Sequence, residues 1–193
     1  MDPIEISKVI ARLRENKAFS LRAVVRTDIP DAKMHFESVL KHLVPVLQWL
    51  PEYDSIAEWL SDNKGRGLLC MGNLGRGKTL IATKAIPILF NYFKRLIVRV
   101  TDAQELNDKI DVVKQSHIIC IDDVGTEGEY VRYGERRIPF AELVDLAEKH
   151  GKLLIITTNL TIEELTAKYG ERTIDRLRGI TKCVRFQGQS MRN

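Results

Sequence analysis

Three stretches of this chain hold residue types whose spacing suits phosphate chemistry. In Gly72-Asn73-Leu74-Gly75-Arg76-Gly77-Lys78-Thr79-Leu80, glycines at 72, 75 and 77 lead into a lysine and a hydroxyl. A loop so poor in Cβ atoms can turn its backbone N–H groups inward toward phosphate oxygens. A helix opening near Lys78 adds its positive dipole end and unpaired amides. Lys78 would then supply a mobile cation to the β- and γ-phosphates, and Thr79 a hydroxyl ligand for Mg²⁺. The whole run from Gly72 to Leu80 is the expected nucleotide cradle, with the Arg76 side chain its least constrained member and given no role of its own.

The second stretch, Ile118-Ile-Cys-Ile-Asp122-Asp123, is an apolar run ending in paired carboxylates. Asp122 is suited to hold Mg²⁺, and Asp123 to orient or deprotonate an attacking water. The third, Ile155-Ile-Thr157-Thr158-Asn159, ends an apolar run with polar groups. An amide at Asn159 can contact both a γ-phosphate and the attacking water. The plainer reading makes Asn159 a turn residue ahead of a capping box between Thr161 and Glu164.

Those residues need a scaffold that brings three strand ends together. Leu68–Met71, Leu96–Val100, Ile118–Ile121, Leu153–Thr158 and Lys182–Phe186 read as strands, and the segments between them carry helical apolar spacing. Strands separated by helices predict an α/β fold with a parallel five-stranded sheet flanked by helices, and ligands bind at the carboxyl edge of such a sheet. Pro87 predicts a bend in the helix behind the glycine loop. Ahead of this unit, residues 4–16, 32–50 and 51–60 read as helices, with Pro45 breaking the second and Pro51 opening the third. Asn63-Lys-Gly-Arg-Gly67 reads as a boundary, so the expected organisation is a helical N-terminal extension over 1–64 and a nucleotide domain over 65–193. Trp49, Tyr53 and Trp59 are read as packing residues of the extension.

Composition limits the alternatives. With 193 residues, 44% hydrophobic and 29% charged, the chain is expected to be a soluble globular protein with a sizeable core. No apolar run is long enough to span a bilayer and no leader is recognisable, which predicts a cytoplasmic protein without membrane contact. Cys70, Cys120 and Cys183 lie far apart in apolar segments without metal-ligand spacing, so they are read as buried small hydrophobes rather than zinc ligands or disulfides. The net charge is +4, and residues 171–193 hold six basic groups against two acidic ones. That end faces an anion or is a solvated basic surface. Within it, Arg172 and Arg176 fall four apart on one helical face, where like charges repel unless relieved. Relief would come from Glu171 and Asp175, or from a γ-phosphate presented by a neighbouring subunit.

Taken together, Gly-x-x-Gly-x-Gly-Lys-Thr, Ile-Asp-Asp, Thr-Thr-Asn, Tyr-Gly-Glu-Arg-x-x-x-Asp-Arg-Leu-Arg and the ending Phe186-Gln-Gly-Gln-Ser-Met-Arg192 resemble the AAA+ ATPases of the DnaC/IstB type. The resemblance covers about residues 65–192 and implies a P-loop NTPase fold that binds ATP and Mg²⁺. Carried over by motif, Lys78, Thr79 and Asp122 bind ATP and Mg²⁺, Asp123 supports hydrolysis, and Asn159 is sensor 1. Arg176 would be an arginine finger acting across a subunit boundary, with Arg172 the second choice.

The resemblance further implies a homo-oligomer when ATP is bound, working on DNA, single-stranded DNA among the candidates. Its partner would be a replicative helicase that it helps to load, or, in the alternative, a transposase served by an IstB-type helper. A third reading is an ATP-binding switch with little turnover. The chain departs from the pattern at three points. Asp123 stands where many AAA+ enzymes have Glu, which implies slow hydrolysis. Only about seventeen residues separate the second strand from the Ile118–Asp123 stretch, too few for the extra helix that initiators and some loaders carry there. No helical lid, and hence no sensor 2, is expected after the last strand.

Overall fold

The computed structural model describes residues 8, 24–128, 130–132 and 135–191. The helix expected over residues 4–16 lies outside them. Along the rest, α1 (Ala32–Leu43) and α2 (Pro51–Ser61) precede β1 (Gly67–Gly72). A single helical run follows, as α3 (Lys78–Leu80), a π-helical turn (Ile81–Ala85) and α4 (Ile86–Lys94). Next come β2 (Arg99–Asp102), α5 (Ala103–Val113), β3 (Ile118–Asp122) and a short antiparallel hairpin of β4 (Tyr130–Arg132) and β5 (Glu135–Arg137). The chain closes with α6 (Pro139–His150), β6 (Leu153–Thr158), α7 (Ile162–Tyr169), α8 (Glu171–Ile180) and β7 (Thr181–Phe186).

Five strands form one parallel sheet in the order β2-β3-β6-β1-β7. The order explains the sequences. β3, β6 and β1 are central and buried almost throughout, so Ile-Ile-Cys-Ile, Leu-Leu-Ile-Ile and Leu-Leu-Cys-Met are unbroken apolar runs. β2 and β7 are the edges, and there exposed positions interrupt buried ones. Cys70 and Cys120 are buried as expected. Cys183 is not: it sits at an outward position of edge strand β7 and is exposed, its thiol donating to the Met71 sulfur at 3.3 Å.

Alternate residues of the central strands feed two cores. Leu68, Cys70, Cys120 and Ile155 pack with α1, α2 and the helix of residues 81–94. Leu69, Met71, Ile119, Ile121 and Ile156 pack with α5 to α8 on the other face. The helices of the N-terminal extension therefore cover one face of the sheet. Phe36, Ile56, Trp59 and Leu60 share that core with Ile81, Phe90 and Phe186. The glycine-containing linker before β1 is also tied down: Asn63 Oδ1 accepts from Thr27 N and Gly65 N at 3.0 Å, and Trp59 Nε1 donates to the Arg66 carbonyl at 2.8 Å.

Three local differences from expectation have physical causes. α1 ends at Leu43 because Pro45 forces the residue before it into extended backbone, where Val44 lies. Pro87, where a bend is expected, lies in the first turn of α4, and the π-helical turn just before it changes the hydrogen-bond register where proline lacks an N–H. The second strand starts at Arg99 instead of Leu96. Leu96 and Val98 do pack on the core, but the ladder to β3 begins only at Arg99 opposite Ile119.

Candidate functional site

The loop between β1 and α3 turns through positive φ at Gly72, Gly75 and Gly77. Gly72 has no room for a side chain, because a Cβ there would run into the backbone carbonyl of Phe186 on β7. The loop wraps around Lys78, which is 7% exposed and donates from Nζ to the carbonyls of Gly72 and Asn73, each at 2.7 Å. Leu74 to Leu80 line a cavity of about 600 Å³ at the carboxyl edge of the sheet. Gly72 and Asn73 lie outside that lining and reach it only through the lysine. The Arg76 side chain points away, with Nε donating to Glu52 Oε1 of α2 at 2.6 Å, so Arg76 contributes only backbone to the cradle.

Asp122 and Asp123 line the same cavity. They are organised by Thr157, at the end of the neighbouring strand. Its hydroxyl donates to Asp122 Oδ1 at 2.6 Å and accepts from the Asp123 amide at 2.8 Å. The Val124 amide then donates to the Thr157 carbonyl at 2.8 Å. These bonds hold Asp123 in left-handed backbone, φ 58, a conformation costing a residue with a Cβ about 1–3 kcal/mol. Asn159 Nδ2 donates to Asp123 Oδ1 at 2.8 Å. Thr161 and Glu164 form the expected capping box, so Asn159 bonds the carboxylate while the cap is made by others. Partial burial raises the Asp123 carboxyl pKa, and the charges of Asp122, Asp102 and Glu127 add to this against the opposing pull of Lys78.

Sequence reasoning missed several residues of the cavity. Asp102 ends β2 directly opposite Asp122, caps α5 by accepting from the Gln104 amide at 2.8 Å, and adds a third carboxylate to the lining. A carboxylate between a strand and a helix was its available signal. Val44, Val46, Leu47 and Gln48, between α1 and α2, supply an apolar wall beside Tyr53 and Met191. Tyr53 is thus both a packing residue and a wall of the site, and its pKa is raised by burial. Nothing in a stretch that reads as the end of a broken helix announces this role.

The donor set fits Mg²⁺. Thr79 and Asp122 offer two hard oxygen ligands on one cavity, and among the described residues no cluster of three or more candidate ligands could form a cage. Mg²⁺ binds in this way, through few protein oxygens, its own waters and substrate phosphates.

Arg172 and Arg176 stand apart from the cavity. Arg176 pairs with neither Glu171 nor Asp175 of its own helix: its guanidinium pairs with Asp145 and, at 3.2 Å, with Glu148, both on α6 of the same chain. Arg172 is exposed on α8, beside Asp175 and Arg178 in a shallow surface groove.

No protein-family model matches the chain, and no curated protein matches it. Solved structures do. The DnaC helicase loader aligns over 81% of this chain and 100% of its own, at 17% identity and a TM-score of 0.63. DnaI aligns over 66% of this chain and 73% of its own, at 20% identity and a TM-score of 0.53. The replication initiator DnaA, bound to AMPPCP and single-stranded DNA, aligns over 84% of this chain and 51% of its own, at 17% identity and a TM-score of 0.53. With its strand order, its glycine cradle and its paired carboxylates, the chain has a P-loop NTPase fold, shared with the DnaC helicase loader, DnaI and DnaA structures.

Proposed function

We propose that the chain binds ATP in this cavity and hydrolyses it as an accessory of DNA replication, in the manner of a helicase loader. One observation carries the reading: a buried lysine inside a glycine cradle, a threonine hydroxyl, two strand-end carboxylates and an asparagine amide all meet on a single cavity. The Leu74–Leu80 backbone and Lys78 would bind the phosphates, with Val44, Val46, Leu47 and Tyr53 offering an apolar wall to the base. Thr79 and Asp122 would hold Mg²⁺, which when bound neutralises charge on the phosphate oxygens. Asp123, steadied by Asn159 and by the Thr157 hydroxyl on its amide, is the group that would accept a proton from the attacking water. Arg176 lies away from its own cavity, so any contact with a phosphate would be with one bound to a neighbouring copy, and it would require exchange of Asp145 and Glu148 for that anion.

The fold shared with a helicase loader and with an initiator bound to a nucleotide analogue and single-stranded DNA supports the replication reading. A transposase partner is the alternative, since the site itself is indifferent to the partner. A switch with little turnover is favoured by one feature, the short Asp123 side chain combined with an Arg176 engaged within its own chain.

The test is release of phosphate from ATP with and without single-stranded DNA, alongside Lys78→Ala. We expect slow turnover that Lys78→Ala abolishes together with binding. Binding without turnover selects the switch, and unaltered binding in Lys78→Ala refutes the site. Affinity capture from native cells separates helicase from transposase.

A further inference from the structure

The side chain of Arg76 has no business with the cavity, yet it is 8% exposed and ion-paired to an equally buried Glu52. A guanidinium removed from water in this way needs its partners, and losing one leaves an uncompensated charge. Its partners come from two segments far apart in sequence. Nε is bound to Glu52, in the first turn of α2. Nη1 donates to the carbonyl of Gln189 at 3.2 Å, in the segment that follows β7.

Both segments also grip the loop backbone. On the α2 side, the Tyr53 hydroxyl donates to the Arg76 carbonyl at 3.3 Å and would lie 2.9 Å from a Cβ on Gly77. On the other, Asn73 Nδ2 donates to the Gly188 carbonyl at 2.9 Å, and the Met191 amide donates to the Gly75 carbonyl at 3.0 Å. The outer side of the loop is thus held by both segments, and the Arg76 side chain bonds each of them.

We propose that Arg76 is a positioning residue: through Glu52 and Gln189 it clamps the glycine loop between α2 and the 187–191 segment, setting the cradle's shape and tying both segments to its occupancy. This deepens the ATP reading and rests on it for one of two readouts. The first is equilibrium binding of a methylanthraniloyl-labelled ATP, measured well below each variant's melting temperature. Arg76→Ala and Glu52→Gln are expected to weaken binding roughly 10- to 100-fold, the loss typical of one buried charged hydrogen bond. Arg76→Lys is expected to fall between them and the parent, because one ammonium cannot serve Glu52 and the Gln189 carbonyl as a planar fork does.

The second readout is amide hydrogen exchange without nucleotide, in which Arg76→Ala and Glu52→Gln should each deprotect both α2 and residues 187–191. Should Arg76→Ala fail to fold, Glu52→Gln and Arg76→Lys carry both readouts. Lower melting temperatures with unchanged affinity would make Arg76 merely structural and overturn the proposal. Exchange confined to one of the two segments would overturn the clamp. If the parent chain binds no ATP at all, the ATP reading fails, and exchange alone decides the clamp.

Discussion

Thr157→Val is the sharpest perturbation of the site, because the hydroxyl of this residue, 2% exposed, organises both carboxylates. Valine fills the same volume, so no cavity term enters. What disappears is a bond to the Asp122 carboxylate, worth about 1.5–3 kcal/mol, and one from the Asp123 amide, worth about 0.5–1.5 kcal/mol. The sum, roughly 2–4.5 kcal/mol, should lower the melting temperature by about 4–18 °C for a domain of this size. Catalysis should suffer separately. Asp123 is held at φ 58 by the bonds that anchor it and Val124 to Thr157, and half of that anchorage goes with the hydroxyl. Displacing a reacting group by about 1 Å costs on the order of 10²-fold in rate. ATP affinity should hold, since Lys78 is bound by loop carbonyls on the other side of the cavity. Thermal melts, single-turnover hydrolysis and nucleotide binding on Thr157→Val and Thr157→Ser make the comparison, with serine restoring the hydroxyl and most of the rate. Parental stability and turnover in Thr157→Val would refute the reasoning.

Four further outcomes are expected. Because the Asp123 pKa is raised above its ordinary 3.8, the acid limb of kcat/KM should lie above that ordinary value; a limb at or below it speaks against Asp123 as the proton acceptor. By the same linkage, the protonated carboxyl favours the folded state below the unfolded value and that advantage is lost as pH rises through the folded one, so denaturant melts should show Asp123→Asn gaining on the parent over that window. Gly72→Ala should destabilise by at least about 1 kcal/mol in denaturant titrations, since a Cβ at φ 123 meets the Phe186 backbone; an unchanged midpoint would mean that the β1–β7 edge yields. Mixing Arg176→Ala with Asp123→Ala subunits should recover part of the hydrolysis lost by each alone, and assembly without recovery would rule out Arg176 acting across a subunit boundary.

Local chemistry made much of this molecule readable before any coordinates. Ile118–Ile121 and Leu153–Ile156 are apolar without interruption because each is buried on two faces, so central parallel strands could be recognised from residue type alone. Glycine spacing ahead of Lys78, and carboxylates directly after an apolar run, are likewise local signatures, since cradle and strand end are each made by a few consecutive residues. Pro51 and the Thr161–Glu164 box belong to the same class.

Contacts between distant segments were decided by packing alone. Thr157 looked like one more residue of a polar strand end until β6 was laid between β3 and β1, opposite Asp122. Arg76 could be assigned nothing while α2 and the segment after β7 were separate words in a chain, and Arg176 found its carboxylates on α6 instead of on its own helix. Cys183 reads as apolar as Cys70, yet one lies on an edge strand and the other at the sheet centre. A residue's own chemistry states which partners it could satisfy; only the path of the folded backbone brings one of them within 3 Å, because hydrogen bonds and ion pairs act over a few ångströms while the segments that make them are separated by tens of residues.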